Sequence, residues 1–125
     1  EQSIDKPLLV THRKGGERHV IVSPEGKAAQ TRVRLSRTYG KYSLVQCSPV
    51  TGRTHQIRVH LQSVGFPIAG DDRYGDAEAN SRLKKRGLPR LFLHAQSISF
   101  PDEHGNELHF TAQLPDDLNR FLSKL

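Results

Sequence analysis

Alternating apolar and polar positions predict a β-hairpin in the first half of the chain. Between residues 31 and 36, threonine, valine and leucine alternate with arginine and serine, and this period of two predicts a half-buried strand with a cationic outer face. The segment 38–41 has turn composition, and residues 42–47 are predicted to return as the second strand. Residues 19–22 form another predicted strand. Residues 1–19 are otherwise expected to be irregular, apart from a short apolar patch at residues 8–10.

Helical spacing of apolar residues appears next. Ile57, Leu61 and Val64 recur at intervals that place them on one side of a helix, and the glycine and proline that follow predict its end. Thr51 or Thr54 is expected to cap its first turn, because a threonine hydroxyl accepts a hydrogen bond from the exposed amides there.

The second half of the chain is predicted to contain two more helices and a second hairpin. A short basic helix is expected over residues 81–86, and a terminal amphipathic helix is expected with residues 115–117 in its first turn and apolar residues at 118, 121, 122 and 125. Residues 91–100 and 107–112 are β-rich and are separated by a loop of turn-forming residues. Strands and helices in this order predict an α+β domain with a mainly antiparallel, mixed sheet flanked by helices.

Composition restricts the class of protein. A chain of 125 residues is expected to form one domain or a piece of one. With 34% hydrophobic and 26% charged residues, it is predicted to have a well-solvated surface and no membrane span. The first residues lack the features of a secretory signal. Cys47, the single cysteine, has no partner for an internal disulfide, which indicates a reducing compartment and favours a cytoplasmic location.

The charge balance points to an anionic partner. Nineteen lysines and arginines against thirteen acidic residues give a net charge of +6, and nucleic acid is the commonest partner of such a domain. The alternative is that the charge serves solubility alone. The basic residues are spread through segments with predicted structure, which indicates a folded basic surface rather than a charged tail.

Several standard signatures are absent from the sequence: a glycine-rich phosphate loop, an HExxH motif, a paired-cysteine motif and a nucleophile elbow. His55 and His60 would diverge by about 140° on a helix, so they do not predict a metal site, and each is expected to be either solvent-facing or a hydrogen-bonded structural histidine. Asp71 and Asp72 follow a glycine and are expected to be turn formers, and Cys47 is expected to be a small buried residue. There remains the segment 51–60, which places two arginines and a histidine near a helix N-terminus. Such a segment suits a phosphate or a buried carboxylate, although an ordinary basic helix has the same pattern.

This segment resembles a known family. Residues 51–60 read TGRTHQIRVH and are followed by GFPIAGD at 65–71 and YG at 74–75, a pattern similar to that of RluA-type pseudouridine synthases. The RluC branch, which modifies large-subunit ribosomal RNA, is the most similar. Pieces upstream (GKAAQT, 26–31) and downstream (LHA, 93–95) extend the resemblance over nearly the whole chain. Phe66 departs from it, because relatives often carry histidine there.

The resemblance implies an isomerase without a metal or an organic cofactor. In this family a uridine is flipped out of the RNA, its N1–C1′ bond is cut, and the uracil is rejoined through C5. The reaction is redox-neutral and needs an ionised carboxylate beside the sugar. The family's aspartate lies in an HRLD-type segment, which this sequence lacks, as it lacks the family's pocket tyrosine. Residues 1–125 therefore resemble the C-terminal half of a catalytic domain.

The resemblance also implies six site residues. Arg58 would be the catalytic residue, paired with the aspartate of the other half so that this carboxylate stays ionised. Arg53, His55 and Lys27 would contact RNA, and Ile57 and Leu93 would lie beside the uracil or serve core packing. The implied partner is large-subunit (23S) ribosomal RNA, and the oligomeric state is not predicted. A non-catalytic RNA-binding module and an inactive fragment are the alternatives.

Overall fold

Seven strands and three helices form the described part of the chain, residues 1–13 and 15–125 of this computed structural model. In chain order they are β1 (Gln2–Asp5), β2 (Leu8–His12), β3 (Arg18–Val22), β4 (Gln30–Tyr39), β5 (Tyr42–Pro49), α1 (Gln56–Ser63), α2 (Ala77–Lys85), β6 (Ser97–Pro101), β7 (Glu107–Thr111) and α3 (Asp116–Leu122). The strands form three antiparallel sheets, β1-β4-β5, β2-β3 and β6-β7. The predicted α+β class is confirmed, with three small sheets in place of a single one.

The predicted β4–β5 hairpin is present and contains an irregularity. Thr31 is fully buried at the start of β4, whereas Leu35 is 58% exposed farther along the same face. A bulge between Leu35 and Arg37 then shifts the register, so that Arg37 pairs with Leu44. Beyond the bulge, the odd-numbered residues of β4 point to the opposite face of the sheet from those before it. There the Arg37 guanidinium lies 5.2 Å from the ring centre of Tyr39.

The expectation of an irregular N-terminus is wrong, because residues 1–13 contain two strands. β1 is an edge strand that pairs with β4 from Gln2 opposite Val33 to Asp5 opposite Gln30. The apolar patch at residues 8–10 belongs to β2, which pairs with β3, the strand predicted at residues 19–22. β1 is short and mostly polar, so its structure depends on pairing with a distant strand rather than on its own pattern.

The second half also departs from the prediction in places. α2 begins at residue 77, before the predicted 81, because the Asp76 carboxylate accepts hydrogen bonds from the amides of Glu78 and Ala79 and caps the helix. Residues 91–96 form no strand; the Phe92 amide instead donates to the carbonyl of Ala69 at 2.9 Å. The β6–β7 hairpin and α3 are present as predicted.

Two apolar clusters hold these elements together. The first lies between the β2–β3 hairpin and α1 and consists of Leu8, Val20, Ala29, Val59 and Tyr74. The second joins α2 to α3 and consists of Leu83, Leu88, Leu118 and Phe121. The first cluster positions α1, which carries Arg58 and Ile57 and follows His55 directly.

The β6–β7 hairpin presents an apolar face to solvent. The cross-strand pairs Ile98–Phe110 and Phe100–Leu108 lie on one side of this two-stranded sheet, and all four side chains are exposed. The rings of Phe100 and Phe110 stack with their centres 5.9 Å apart. The hairpin is therefore held by its own strand pairing more than by a core.

Candidate functional site

The residue before α1 has an unusual backbone. His55 occupies the N-cap position with φ 52° and ψ 24°, and within the described ranges it is the one residue other than glycine with positive φ. The expected capping by Thr51 or Thr54 is wrong, since no side chain caps this helix. The Thr51 hydroxyl instead donates to Oε1 of Gln56 at 2.6 Å. A left-handed conformation costs a residue with a side chain about 1–2 kcal/mol, so surrounding contacts must hold it.

The buried face of α1 is partly polar. Of the predicted apolar stripe, Leu61 is buried, but Ile57 is half-buried and Val64 is 39% exposed. The buried residues of the helix are Gln56, Val59, His60 and Leu61. The helix therefore packs on a side rotated from the one that apolar spacing predicts.

His60 explains how a polar side chain is accommodated there. It is fully buried, with Nδ1 2.8 Å from the hydroxyl of Thr31 on β4 and Nε2 2.9 Å from the carbonyl of Lys6. Gln56 donates from Nε2 to the same hydroxyl at 2.9 Å. Because buried polar groups need partners, these bonds fix α1 against β4. The expectation of a hydrogen-bonded structural histidine is confirmed for His60.

Arg58 forms an ion pair within the chain. Its Nε donates to Oδ2 of Asp71 at 2.9 Å, and its Nη2 donates to Oδ1 at 2.8 Å. The Asp71 side chain is fully buried, and Oδ1 also accepts the amides of Arg73 and Tyr74 at 3.0 Å each. The turn role expected of Asp71 is therefore confirmed. The sequence reasoning placed the partner of Arg58 outside this chain and missed the carboxylate that holds it here.

The electrostatics of this pair favour the charged forms of both groups. Burial raises the pKa of Asp71, but the hydrogen bond from Arg58 and the amides of Tyr74 and Arg73 outweigh it and hold the pKa below its ordinary value. The hydrogen bond to Asp71 likewise raises the pKa of Arg58. An ionised carboxylate that is buried and bonded at both oxygens is inaccessible to a substrate, so Asp71 orients Arg58 and is unsuited to act as a nucleophile.

Tyr74 links the parts of the site. Its ring centre lies 5.0 Å from the guanidinium carbon of Arg58, and the ring of His19 stacks on it at 5.0 Å. The Tyr74 hydroxyl accepts the amide of Val20 on β3 at 3.0 Å and lies 2.7 Å from Nδ1 of His55. Sequence reasoning missed Tyr74 as a site residue; its one signal was the YG pair in the family-like pattern.

The basic residues expected to contact RNA lie at the surface nearby. Arg53 is exposed and donates from Nε to the carbonyl of Ala28 at 3.0 Å, and Lys27, the residue before Ala28, is also exposed. His55 is half-buried against Tyr74. Arg53 thus lies against the backbone of the residue that follows Lys27, while His55 contacts Tyr74, whose ring Arg58 also contacts. Their contact with RNA stays a prediction.

The two residues expected beside the uracil are both half-buried. Ile57 lies in the first turn of α1, next to Arg58 in sequence. Leu93 lies in the irregular segment before β6, where its amide donates to the carbonyl of Leu91 at 3.0 Å. Partial burial is compatible with a pocket wall and with packing, so their role stays a prediction.

The remaining chemistry of the described ranges is limited. They contain no group of three histidine, cysteine or acidic side chains arranged to bind a metal ion. None of their helices has the length and apolar character needed to cross a membrane. Cys47, expected to be buried, is half-buried, and desolvation raises the pKa of its thiol. The arginine–aspartate–tyrosine cluster at α1 is accordingly the candidate site.

Comparison with known proteins identifies relatives of this chain. Residues 1–63 match the family model of RNA pseudouridylate synthases. The ribosomal large subunit pseudouridine synthases C of Haemophilus ducreyi and Escherichia coli O157:H7 are each 49% identical to the chain, over 98% and 99% of its length. These alignments cover 38% and 40% of the two relatives, so the chain spans about two fifths of their length.

Solved structures agree with this assignment. Human RNA pseudouridylate synthase domain containing 1 superposes with a TM-score of 0.76 at 23% identity, over 96% of this chain and 51% of that one. Human RNA pseudouridylate synthase domain containing 4 superposes with a TM-score of 0.71 at 27% identity, over 98% and 55%. Family model, relatives and fold agree, and the chain belongs to the RNA pseudouridylate synthase family.

Proposed function

We propose that the full-length protein containing this chain converts specific uridines of large-subunit (23S) ribosomal RNA to pseudouridine. Residues 1–125 would be the C-terminal half of its catalytic domain. Family membership and the names of the relatives support the reaction class. The observation that carries the proposal is the guanidinium of Arg58, which is fixed by Asp71 and Tyr74 while its side chain remains 18% exposed.

The geometry of Arg58 suits a second carboxylate. The pair with Asp71 uses Nε and Nη2, and Nη1 makes no hydrogen bond to any residue that the structure describes. A guanidinium that is already oriented loses little conformational freedom when it binds another group. Nη1 would donate to the nucleophilic carboxylate supplied by the other half of the domain. That bond would keep the nucleophile ionised in a site secluded from water.

The basic surface beside the site would bind the RNA backbone. Lys27 and Arg53 are both exposed, with Arg53 bonded to the backbone of Ala28, and His55 and Arg58 both contact Tyr74. The net charge of +6 favours association with a polyanion. Ile57 and Leu93 would contribute apolar surface near the uracil. With ribosomal RNA as substrate, we place the protein in the cytoplasm.

Replacement of Arg58 in the full-length protein tests this proposal. We expect Arg58→Lys to lower turnover by about 10²–10³-fold, because a lysine cannot contact Asp71 and a second carboxylate through one fixed plane. Tritium release from RNA labelled at C5 of uridine measures turnover. Arg82→Lys, an exposed arginine on α2, is the matched control and should retain wild-type turnover. Near-normal turnover of the Arg58→Lys variant would remove Arg58 from the active site.

A non-catalytic RNA-binding module is the second candidate. One observation favours it. Asp71, the carboxylate found at the site among the described residues, is buried and accepts hydrogen bonds at both oxygens, so it is not free to act as a nucleophile. Such a module would bind RNA through backbone contacts, and its affinity would fall steeply with salt. Salt-dependent binding by a full-length protein that releases no tritium would favour the module over the enzyme.

A further inference from the structure

The two hydrogen bonds of the Tyr74 hydroxyl determine which group accepts the hydroxyl proton. The amide of Val20 has one proton and donates it to the Tyr74 oxygen at 3.0 Å. The hydroxyl keeps its own proton to donate, and Nδ1 of His55 lies 2.7 Å away. If Nδ1 also carried a proton, the hydroxyl proton would have no acceptor among the residues that the structure describes. Nδ1 is therefore the acceptor, and the proton of a neutral His55 ring is on Nε2.

The surroundings of the His55 ring favour its neutral form. Burial lowers the pKa of His55 most, and the charges of Arg58 on α1, Arg73 in the following loop and Arg18 on β3 lower it further. Asp71 opposes them with a smaller effect. The hydrogen bond that the Tyr74 hydroxyl donates to Nδ1 acts in the same direction as these positive charges, because a hydrogen bond to the neutral form of the ring disfavours its charged form.

The other ring nitrogen of His55 faces outward. Nε2 makes no hydrogen bond to the described residues. Among those residues, Nδ1 of His19 is the single side-chain nitrogen or oxygen that is both buried and without a partner, so Nε2 of His55 is not buried. Nε2 of His55 is therefore accessible. The left-handed backbone of His55 and an edge-on ring contact with Tyr74 (centres 5.5 Å apart, planes at 65°) hold this orientation.

We propose that Tyr74 is a positioning residue that holds His55 as a neutral imidazole and presents its Nε2–H as a fixed hydrogen-bond donor to an oxygen of bound RNA. The identity of the acceptor rests on the proposed function, whereas the state of the ring does not. A neutral donor contributes a directed bond to the RNA without adding a second cation beside Arg58. The nucleophilic carboxylate is then left to pair with the arginine alone.

Nitrogen NMR of the full-length protein with ¹⁵N-labelled histidine rings tests the ring state directly. The His55 signals are assigned by their loss in the His55→Gln variant. We expect Nε2 to be protonated and Nδ1 to show the ¹⁵N chemical shift of an unprotonated nitrogen that accepts a hydrogen bond. We also expect the ring signals not to titrate between pH 8 and a pH well below the ordinary histidine pKa. In Tyr74→Phe, the two tautomers should mix and the pKa of His55 should rise. A proton on Nδ1 in the wild-type protein, or an ordinary pKa for His55, would overturn the proposal.

RNA affinity gives a second readout. We expect Tyr74→Phe to weaken RNA binding at pH 7.5 by about three- to tenfold, the effect of one misdirected hydrogen bond. Between pH 8 and 6 the wild-type affinity should show no step from His55, whereas the variant should regain affinity as its ring becomes protonated. Tyr39→Phe, in which the hydroxyl has no hydrogen-bond partner among the described residues, is the control and should match the wild type. Equal affinities and pH profiles for Tyr74→Phe and wild type would contradict the proposal.

Two precautions separate the possible failures. Tyr74→Phe removes the acceptor of the Val20 amide, so its unfolding is measured first; if it does not fold, the wild-type NMR result alone decides. If the proposed function is wrong, the wild-type protein forms no pseudouridine, yet the His55 signals still report the tautomer. If this inference is wrong, turnover is normal and Nδ1 carries the proton.

Discussion

The carboxylate of Asp71 binds the guanidinium of Arg58 through two parallel hydrogen bonds of 2.8 and 2.9 Å. This contact joins α1 to the loop that follows it and sets the direction of the arginine side chain. Because the carboxylate is fully buried and also accepts two backbone amides, it cannot move away from the arginine without leaving those amides unpaired. The position of Arg58 is therefore determined by the loop as much as by its own helix.

Asp71→Asn should damage both folding and activity of the full-length protein. The amide group would face Nε of Arg58 with a donor instead of an acceptor, so we expect the free energy of unfolding to fall by about 1–3 kcal/mol and turnover to fall with it. Urea unfolding and tritium release measure the two effects. Asp72→Asn changes an exposed neighbour and should leave the free energy of unfolding within about 0.5 kcal/mol of wild type. Equal effects of the two substitutions would contradict the role given to Asp71.

The stabilisation from Asp71 should depend on pH in one direction. Although burial opposes ionisation, the bonds from Arg58 and the two amides depress the pKa in the folded state below that of the unfolded chain, about 3.9. Its contribution is therefore complete above the unfolded pKa and is lost as pH falls through the folded pKa. The difference in unfolding free energy between wild type and Asp71→Asn should be constant from pH 7 to about 5 and should shrink below about 4. Urea unfolding at a series of pH values checks this, and a difference that grows on acidification would be the opposite result.

Thr31→Val should destabilise the protein although the side chain hardly changes shape. The hydroxyl forms hydrogen bonds with Nδ1 of His60 and Nε2 of Gln56, and both nitrogens would lose this partner inside the protein. We expect a loss of about 1–3 kcal/mol in unfolding free energy, measured by urea unfolding. Thr38→Val, at an exposed position of the same strand, should change it by about 0.5 kcal/mol or less. A silent Thr31→Val variant would mean that these hydrogen bonds contribute nothing net.

Gly75→Ala should also be destabilising, because the backbone approaches closely at that position. A Cβ there would meet the carbonyl oxygen of Asp71, and the amide of Asn80 lies close on another side. We expect a loss of about 1–3 kcal/mol, as for other overpacked sites. At Gly52 a Cβ would have no neighbour within 4 Å, so Gly52→Ala should be neutral or stabilising by up to about 1 kcal/mol. Thermal unfolding of the two variants makes the comparison, and equal shifts would show that the loop gives way.

Local sequence patterns predicted the elements whose stability is local. The β4–β5 hairpin and α3 have a clear period in their own residues, and both are present. β1 lacks such a period because it is an edge strand that β4 holds in place. The bulge after Leu35 also escaped prediction, since alternation in the sequence contains no sign of the extra residue at Ser36.

The candidate site was predictable in its residues but less so in their contacts. The family-like segment identifies Arg58, whereas the sequence predicts only a turn role for Asp71 and contains Tyr74 only as part of the family-like pattern. Their contacts with α1 depend on how the loop after the helix folds back, which spacing along the chain does not reveal. The left-handed conformation of His55 was equally hidden, because a histidine before a helix usually has an extended backbone.

The exposed β6–β7 hairpin has a consequence for the dynamics of the chain. Two strands without a third strand or a covering layer are only marginally stable in water. Amide protons between Ile98 and Phe110 should therefore exchange with solvent through local opening, at rates set by this hairpin alone. Those of α1 around Val59 should exchange only when the whole chain unfolds, so one polypeptide would show two separate regimes of hydrogen exchange.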